Sequence, residues 1–218
     1  MRLFPLPNLV LFPHVMQPLH IFERRYRLLL EDALEDDRLV AMAILAPGWE
    51  EDYEGRPALS PIACLSRIVT HHRLEDGTYT ALVLGLCRVE LIRELEPVRE
   101  FREAEIERCK DYCPPEQAFR DETFRHELCQ AFREAAPMLP EAWDQLDQLM
   151  GGNTPLGILT DVISYTLDIG MRVKEALLAE ANTHRRAEML LEQLSTAGSE
   201  DAPGNSTMEW FPPESSVN

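Results

Sequence analysis

Met1-Arg2-Leu3-Phe4-Pro5-Leu6-Pro7-Asn8-Leu9-Val10-Leu11-Phe12-Pro13 decides how the first half of the chain folds. Two short apolar runs, Leu3 to Leu6 and Leu9 to Phe12, are each interrupted or closed by proline. Proline has no backbone N–H and a fixed φ, so it suits strand ends, sheet edges and bulges and is excluded from helix interiors. The opening is expected to be a sheet strand that turns and runs on, with the fold starting at residue one and no leader before it. The stretch from Pro13 to Pro18 is too proline-limited for regular helix.

Outward from this opening, the first half reads as sheet with one helix. Phe22, Tyr26, Leu29, Leu30, Ala33 and Leu34 recur at helical spacing, and Glu23, Arg27 and Glu31 follow one another at i,i+4 on the other face. Leu39 to Leu45 is an apolar run of strand length. Residues 47–58 hold Pro47, Gly48, Gly55 and Pro57 among four acids and read as a surface loop. Ile62 to Thr70 and Thr78 to Leu86 flank Asp76-Gly77, a strong hairpin signal. Arg88 to Leu95 and Phe101 to Ile106 continue the strand pattern until Cys113-Pro114-Pro115 stops it. The period then becomes helical: one stripe runs Phe124, Leu128, Ala131, Phe132 and Ala135, and another runs from Ala142 to Met150, ended by Gly151-Gly152. Thr154-Pro155 reads as cap and first turn of a helix through Leu167. Helices over Met171 to Ala181 and Thr183 to Leu194 follow. The expected layout is a β-rich lobe over 1–110, a helical lobe over 114–195, and a disordered tail over 196–218 rich in Ser, Gly, Pro and acids. Trp210-Phe211-Pro212-Pro213 in that tail reads equally as a docking motif or as no motif.

The 218 residues carry 38 acids against 21 lysines and arginines, a formal charge of −17. Residues 1–110 hold 19 acids and 14 bases, and 111–218 hold 19 acids and 7 bases, so the deficit lies mainly in the second half. Such a field repels phosphate backbones, which argues against nucleic acid and anionic membranes as partners. No apolar stretch reaches the ~20 residues of a membrane span. Five cysteines, an odd number, read as reduced thiols in a cytoplasmic protein.

No phosphate loop, dinucleotide fingerprint, nucleophile elbow or His-Glu-x-x-His is present, and the two lysines, Lys110 and Lys174, lie in no phosphate-cradling context. The sharpest chemical candidate is Cys109 and Cys113, followed by His126 and Cys129 at i,i+3 on one helix, which together would close a structural zinc site. The alternative is that Cys109 ends a strand, Cys113 is in a linker and Cys129 is a small buried hydrophobe; no cofactor is called for on that reading. His71-His72 at a strand end point to opposite faces, and His14 and His20 read as loop residues. Trp49 and Tyr53, aromatics on an acidic loop, belong either to a recognition surface or to a lid over the core.

These residues resemble the N-terminal substrate-binding domain of the Lon protease family, in its free-standing bacterial form. Leu3-Phe4-Pro5-Leu6-Pro7 through Val10-Leu11-Phe12-Pro13 resembles the family's first strand and the turn after it. Pro18-Leu19-His20-Ile21-Phe22-Glu23 with Arg25-Tyr26 resembles the entry to its first helix. Ile62-Ala63-Cys64-Leu65-Ser66-Arg67-Ile68 is similar to a family strand, with Ala63 where glycine is usual. Asp76-Gly77-Thr78 resembles the family hairpin, and Gly85-Leu86-Cys87-Arg88 its Gly-x-x-Arg step. The similarity covers about residues 1–195.

The resemblance implies an α+β fold: a PUA-like β pseudo-barrel lobe with one helix, then an α-helical bundle. It also implies kinship without peptidase activity, because the chain stops before the ATPase and Ser-Lys peptidase of full-length Lon. The expected function is non-enzymatic binding of unfolded or exposed apolar protein segments, as an adaptor or holdase in protein quality control. The expected surface is the cleft between lobes and the sheet edge near Pro13 to Pro18, with Phe12, Phe22, Trp49 and Tyr53 as contacts and no catalytic residue. Two other classes stay open at this point, a small Cys or Ser hydrolase or transferase and a structural zinc protein.

Overall fold

A computed structural model of the chain describes residues 1–53, 55–135 and 154–197. The fold divides into two units, one over Met1–Lys110 and a second beginning at Asp111.

The first unit holds six strands: β1 (Arg2–Leu6), β2 (Met16–Ile21), β3 (Leu39–Ile44), β4 (Ile62–Arg73), β5 (Tyr79–Glu94) and β6 (Arg102–Arg108). Helix α1 (Arg24–Glu35) connects β2 to β3. β1 runs parallel to β3, with Leu3 opposite Ala41 and Leu6 opposite Ile44. The remaining pairings are antiparallel: β3 to β4, β4 to β5, β5 to β6, and β6 back to β1. Five strands therefore close on themselves. β2 is added outside that circuit, on the first half of β5, where Met16 to Ile21 pair with Leu84 to Tyr79.

A five-stranded closure leaves a narrow interior, and the residues that fill it are small. Leu3, Ala41, Ala43, Ala63, Val89 and Ala104, from all five closing strands, form one buried cluster. Ala63 is fully buried there, so its methyl group is part of the core packing. Outside the barrel, Tyr26 of α1 stacks on Phe4 with ring centroids 4.3 Å apart and donates its hydroxyl to the Pro5 carbonyl at 3.1 Å. Such a stack adds about 0.5–1.5 kcal/mol beyond burial of the rings.

Pro18 sits where its missing donor predicts, within β2, which has a neighbour on one side only. The hairpin turns at Leu74 to Thr78, where Gly77 takes φ 83°, a left-handed value that glycine adopts without strain. Three expectations change. Leu9 to Phe12 is not a strand; it is an irregular segment whose Val10, Leu11 and Phe12 are buried. Arg88 to Leu95 is not a separate strand, because β5 runs unbroken through Gly85 for 16 residues. Phe22 lies before α1 and is 38% exposed, outside the helix stripe expected to bury it.

The second unit contains α2 (Asp121–Ala135), α3 (Leu156–Thr166), α4 (Met171–Ala179) and α5 (Thr183–Ala197), with a 3-10 segment, Pro115–Arg120, before α2. Phe124, Leu128 and Phe132 of α2, Leu159 and Ile163 of α3, and Ala187, Leu190 and Leu194 of α5 are buried, as their spacing predicts. α5 packs against both α2 and α3. Thr154 is not the cap of α3: Pro155 holds that position and the helix begins at Leu156. The stripe from Ala142 to Met150, with Gly151-Gly152, lies outside the described residues. So does the expected tail from 198 onward, residues 196 and 197 being the last turn of α5.

Candidate functional site

The first unit carries a cavity of about 250 Å³ whose wall is made of arginines, aromatic rings and prolines. Five separated stretches build it: Pro5 at the end of β1, Arg25 and Tyr26 in the first turn of α1, Leu45 after β3, the loop from Tyr53 to Pro57, and the connection from β5 to β6. Its charged residues are Arg25, Arg56, Arg99 and Arg102 against Glu100. That excess of cations is local, in a chain whose net charge is −17.

Each arginine is held by a partner behind the wall. Glu23 precedes α1 but makes no side-chain capping bond; its carboxylate instead accepts from the Tyr53 hydroxyl at 2.7 Å and Arg25 Nε at 2.6 Å. The Arg25 guanidinium lies over the rings of Tyr26 and Tyr53, 4.8 and 5.0 Å from their centroids. Burial, then the hydrogen bond to Glu23, pushes the Tyr53 hydroxyl up to about 12, so it stays a neutral donor. Arg102 reaches the Pro57 carbonyl at 2.8 Å and Glu94 Oε2 at 3.0 Å, and Arg56 reaches the same carboxylate at 3.2 Å. Arg99 pairs with Asp32 and lies over the ring of Phe101. The guanidinium planes are thus fixed in position, the Arg102 fork being taken up by Glu94 and the Pro57 carbonyl.

Glu94 makes this wall sensitive to acid. Burial alone would raise its pKa, but the Arg102 hydrogen bond and the charges of Arg102 and Arg56 outweigh it and hold the carboxyl below the usual glutamate value. A carboxyl with a depressed folded value adds stability above its unfolded pKa of about 4.3, and that stability is lost as pH falls through the folded value. Glu94→Gln is expected to lower stability at neutral pH and to flatten the acid limb below about pH 4.3. Urea midpoints at stepped pH check this; parallel acid limbs for the two proteins would refute it.

Of the residues expected to contact a partner, Tyr53 lines the cavity and Trp49 does not, although their rings meet edge to face at 5.5 Å. Both are half-buried. Phe22 is near His20, with ring centroids 5.7 Å apart, and is outside the cavity lining. Phe12 is 0% exposed, so it is a core residue and offers no contact surface. The edge near Pro13 to Pro18 is β2, with Met16 exposed upon it.

The zinc set expected from spacing is not brought together. Among the described residues these four do not form a ligand cluster; Cys109 follows β6, its N–H bonded to the Arg88 carbonyl. On α2, His126 is exposed whereas Cys129 is buried, so i,i+3 spacing does not put them on one face here. Cys113 instead groups with Asp121 and His184, two residues the spacing argument did not use. Burial and the neighbouring Asp121 push the Cys113 thiol up, the opposite of what activates a nucleophile. Burial and Glu90 likewise push up Cys109. Lys174 is buried and donates to the Tyr165 carbonyl at 3.0 Å.

The arginines missed by sequence reading left one signal: three of them, Arg25, Arg56 and Arg102, stand beside Tyr26, Pro57 and Phe101. Comparison with known proteins agrees with the fold. The chain is 26% identical over 193 residues to Lon protease 2 of Myxococcus xanthus and 28% identical over 193 residues to Lon protease 2 of Desulfotalea psychrophila, in each case over 88% of its own length. It spans only 23–24% of the length of those relatives. A solved Lon N-terminal domain protein from Xanthomonas campestris superposes with a TM-score of 0.61 at 22% identity, covering 88% of this chain and 96% of that one. The N-terminal domain of Mycobacterium avium complex Lon protease gives 0.70 at 15% identity, covering 89% and 97%. The family model of the ATP-dependent protease La (LON) substrate-binding domain matches residues 1–196, and the chain belongs to that family.

Proposed function

We propose that this chain binds unfolded or exposed apolar segments of other proteins and holds them without cleaving them, as an adaptor or holdase in cytoplasmic protein quality control. The observation that carries the proposal is the cavity of the first unit: four arginines around Tyr26, Tyr53 and Phe101. Guanidinium groups donate to peptide carbonyls and carboxylates, while the rings and prolines accept apolar side chains. An extended segment offers both in alternation. Kinship with proteases points the same way, because a substrate-binding domain needs selectivity for unfolded chain and no chemistry of its own. The net charge of −17 disfavours nucleic acid and anionic membranes as alternatives.

The test is fluorescence anisotropy with a labelled, permanently unfolded casein-like protein. Wild type is expected to bind it, and Tyr53→Ala, Arg25→Ala and Arg56→Glu to weaken binding about tenfold or more each, the loss of one well-formed anchor. Trp49→Ala, outside the cavity, is expected to change it less. Circular dichroism of each variant separates lost binding from lost folding. A wild type that holds no client, or folded cavity variants that bind like wild type, would overturn the proposal.

A further inference from the structure

Cys113, Asp121 and His184 converge on a single point. Cys113 Sγ is 3.3 Å from His184 Nε2, Asp121 Oδ1 is 2.5 Å from the same nitrogen, and the sulfur and carboxylate oxygen are 3.7 Å apart. The histidine is 2% exposed, with its ring against Phe124 at 5.0 Å between centroids. Its other nitrogen, Nδ1, faces the side-chain amide oxygen of Gln117 at 3.3 Å. With the Gln117 amide oxygen accepting from Nδ1–H, Nε2 is the nitrogen that would hold a metal ion beside the carboxylate and the thiol.

Two chemistries use these side chains, and the geometry separates them. A thiol–imidazole–carboxylate relay needs the thiol on one ring nitrogen and the carboxylate on the other, since the imidazole passes a proton between its ends. Here the carboxylate lies on Nε2, the nitrogen nearer the thiol, the sulfur being 3.3 Å from Nε2 and 3.9 Å from Nδ1, and Nδ1 is engaged by a neutral amide. Three unlike donor atoms, S, N and O, around one point with an orienting partner behind the histidine is the pattern of a metal centre. We propose that Cys113 Sγ, Asp121 Oδ1 and His184 Nε2 bind a divalent cation of the zinc class, with water in the fourth position.

The surroundings support this. Zinc holds sulfur at about 2.3 Å and nitrogen or oxygen at about 2.0 Å, which sets tetrahedral ligand atoms roughly 3.3–3.7 Å apart. The sulfur–oxygen distance already meets that; the sulfur, which also lies 3.9 Å from Nδ1, has to rotate toward the Nε2 lone pair, and the Asp121 side chain, 43% exposed, has room to swing outward. A dication with one thiolate and one carboxylate is neutral overall, so the positive partial charge at the N-termini of α2 and α5 does not oppose it. The backbone holds the site open to the ion: Tyr112 N–H donates to Ala181 at 3.0 Å and Thr183 N–H to Tyr112 at 3.0 Å, setting Cys113 beside His184 across a sequence separation of 71. A bound ion would tie the segment before α2, the start of α2 and the start of α5 to one another.

Titration of chelator-treated full-length chain with Co²⁺ alone tests this. One equivalent is expected to give a thiolate-to-cobalt charge-transfer band in the near ultraviolet that disappears when zinc is added, and zinc is expected to raise the melting temperature. Cys113→Ser is expected to abolish both the band and the stabilisation. Gln117→Ala, which leaves all three ligands in place, is expected to weaken binding about tenfold or more. Cys109→Ser and Cys129→Ser are expected to leave the band unchanged. Because loss of the buried His184 side chain would disturb folding, Asp121→Asn, at the exposed ligand, serves as the second ligand variant and is expected to weaken binding while preserving the circular dichroism spectrum. A folded wild type without the band, a band that survives Cys113→Ser, or one lost with Cys109→Ser or Cys129→Ser would overturn the proposal.

Discussion

Arg186→Ala is expected to cost the helical unit about 3–5 kcal/mol, the loss seen when one partner of a buried ion pair is removed. Arg186 is 0% exposed and is the largest fully buried side chain of the described residues. Its Nε donates to Thr160 Oγ1 at 2.8 Å and lies 3.7 Å from Asp161 Oδ1, a carboxylate that is itself 1% exposed. One terminal nitrogen donates to the Glu180 carbonyl at 2.8 Å, and the other pairs with Asp111. A single planar group thus joins the segment before α2, the middle of α3, the end of α4 and the start of α5. Gly157 belongs to the same arrangement, since a Cβ there would lie 2.9 Å from Asp111 Oδ2 and 3.3 Å from the guanidinium.

Removing the guanidinium takes a cation away from Asp161, a carboxylate that is 1% exposed, and that penalty outweighs the loss of any one hydrogen bond. Arg186→Lys is expected to recover little, because an ammonium cannot satisfy acceptors spread over the five donors of a planar fork. Arg186→Met with Asp161→Leu is expected to recover most of the loss, because replacing both partners by apolar groups avoids the buried charge. Urea denaturation followed by helical circular dichroism measures this as a double-mutant cycle. A single mutant within about 1 kcal/mol of wild type, the range of surface pairs, would show that the network is dispensable.

Arg186 also shows where sequence reading stops. Arg186, Leu190 and Leu194 are spaced i, i+4, i+8 on α5, so the helical period placed the arginine on the buried face. Nothing in that period states that Asp111 and Asp161 wait there, 75 and 25 positions away. The strands were legible because their signals are local: proline at the ends of apolar runs, Asp76-Gly77 between two alternating stretches, a helical stripe in α1. The β5 strand was harder, since Gly85 and Arg88 looked like an interruption and only pairing with β2, β4 and β6 shows continuity. The cavity is further from local pattern. Tyr53 stood out as a loop aromatic, but Arg25, Arg99 and Arg102 acquire meaning only when α1, the loop after β3 and the start of β6 are brought together. Spacing likewise chose His126 as a partner for Cys113, whereas packing of α5 against α2 supplies His184.

Gly85→Ala is expected to destabilise the barrel unit by about 3 kcal/mol, the upper end of what an overpacked site usually costs. A Cβ at this position would lie 2.1 Å from the Phe12 carbonyl oxygen, 2.9 Å from its carbon and 3.0 Å from Cys64 Sγ. The first two are backbone atoms, and they are fixed. His14 N–H donates to the Gly85 carbonyl at 2.8 Å and Gly85 N–H to the Val15 carbonyl at 2.9 Å, so the irregular segment after β1 is laced to β5 at this residue. Opposite it the β4–β5 register shifts, with Leu65 facing Cys87 and Ser66 facing Gly85, which leaves Leu86 as the extra residue of a bulge. Here β5 passes from pairing with β6 to pairing with β2. The proline-punctuated run that opens the chain therefore needs a glycine more than seventy residues later, because the carbonyl of Phe12 fills the space of a side chain. For a unit of about 100 residues, a loss of 3 kcal/mol lowers the melting temperature by roughly 12–24 °C. Adding Cys64→Ala relieves the sulfur contact and leaves the carbonyl collision, so it is expected not to rescue Gly85→Ala. A melting temperature within a few degrees of wild type, or full rescue by Cys64→Ala, would mean that the segment around Phe12 yields more easily than the hydrogen bonds of His14 and Val15 to Gly85 imply.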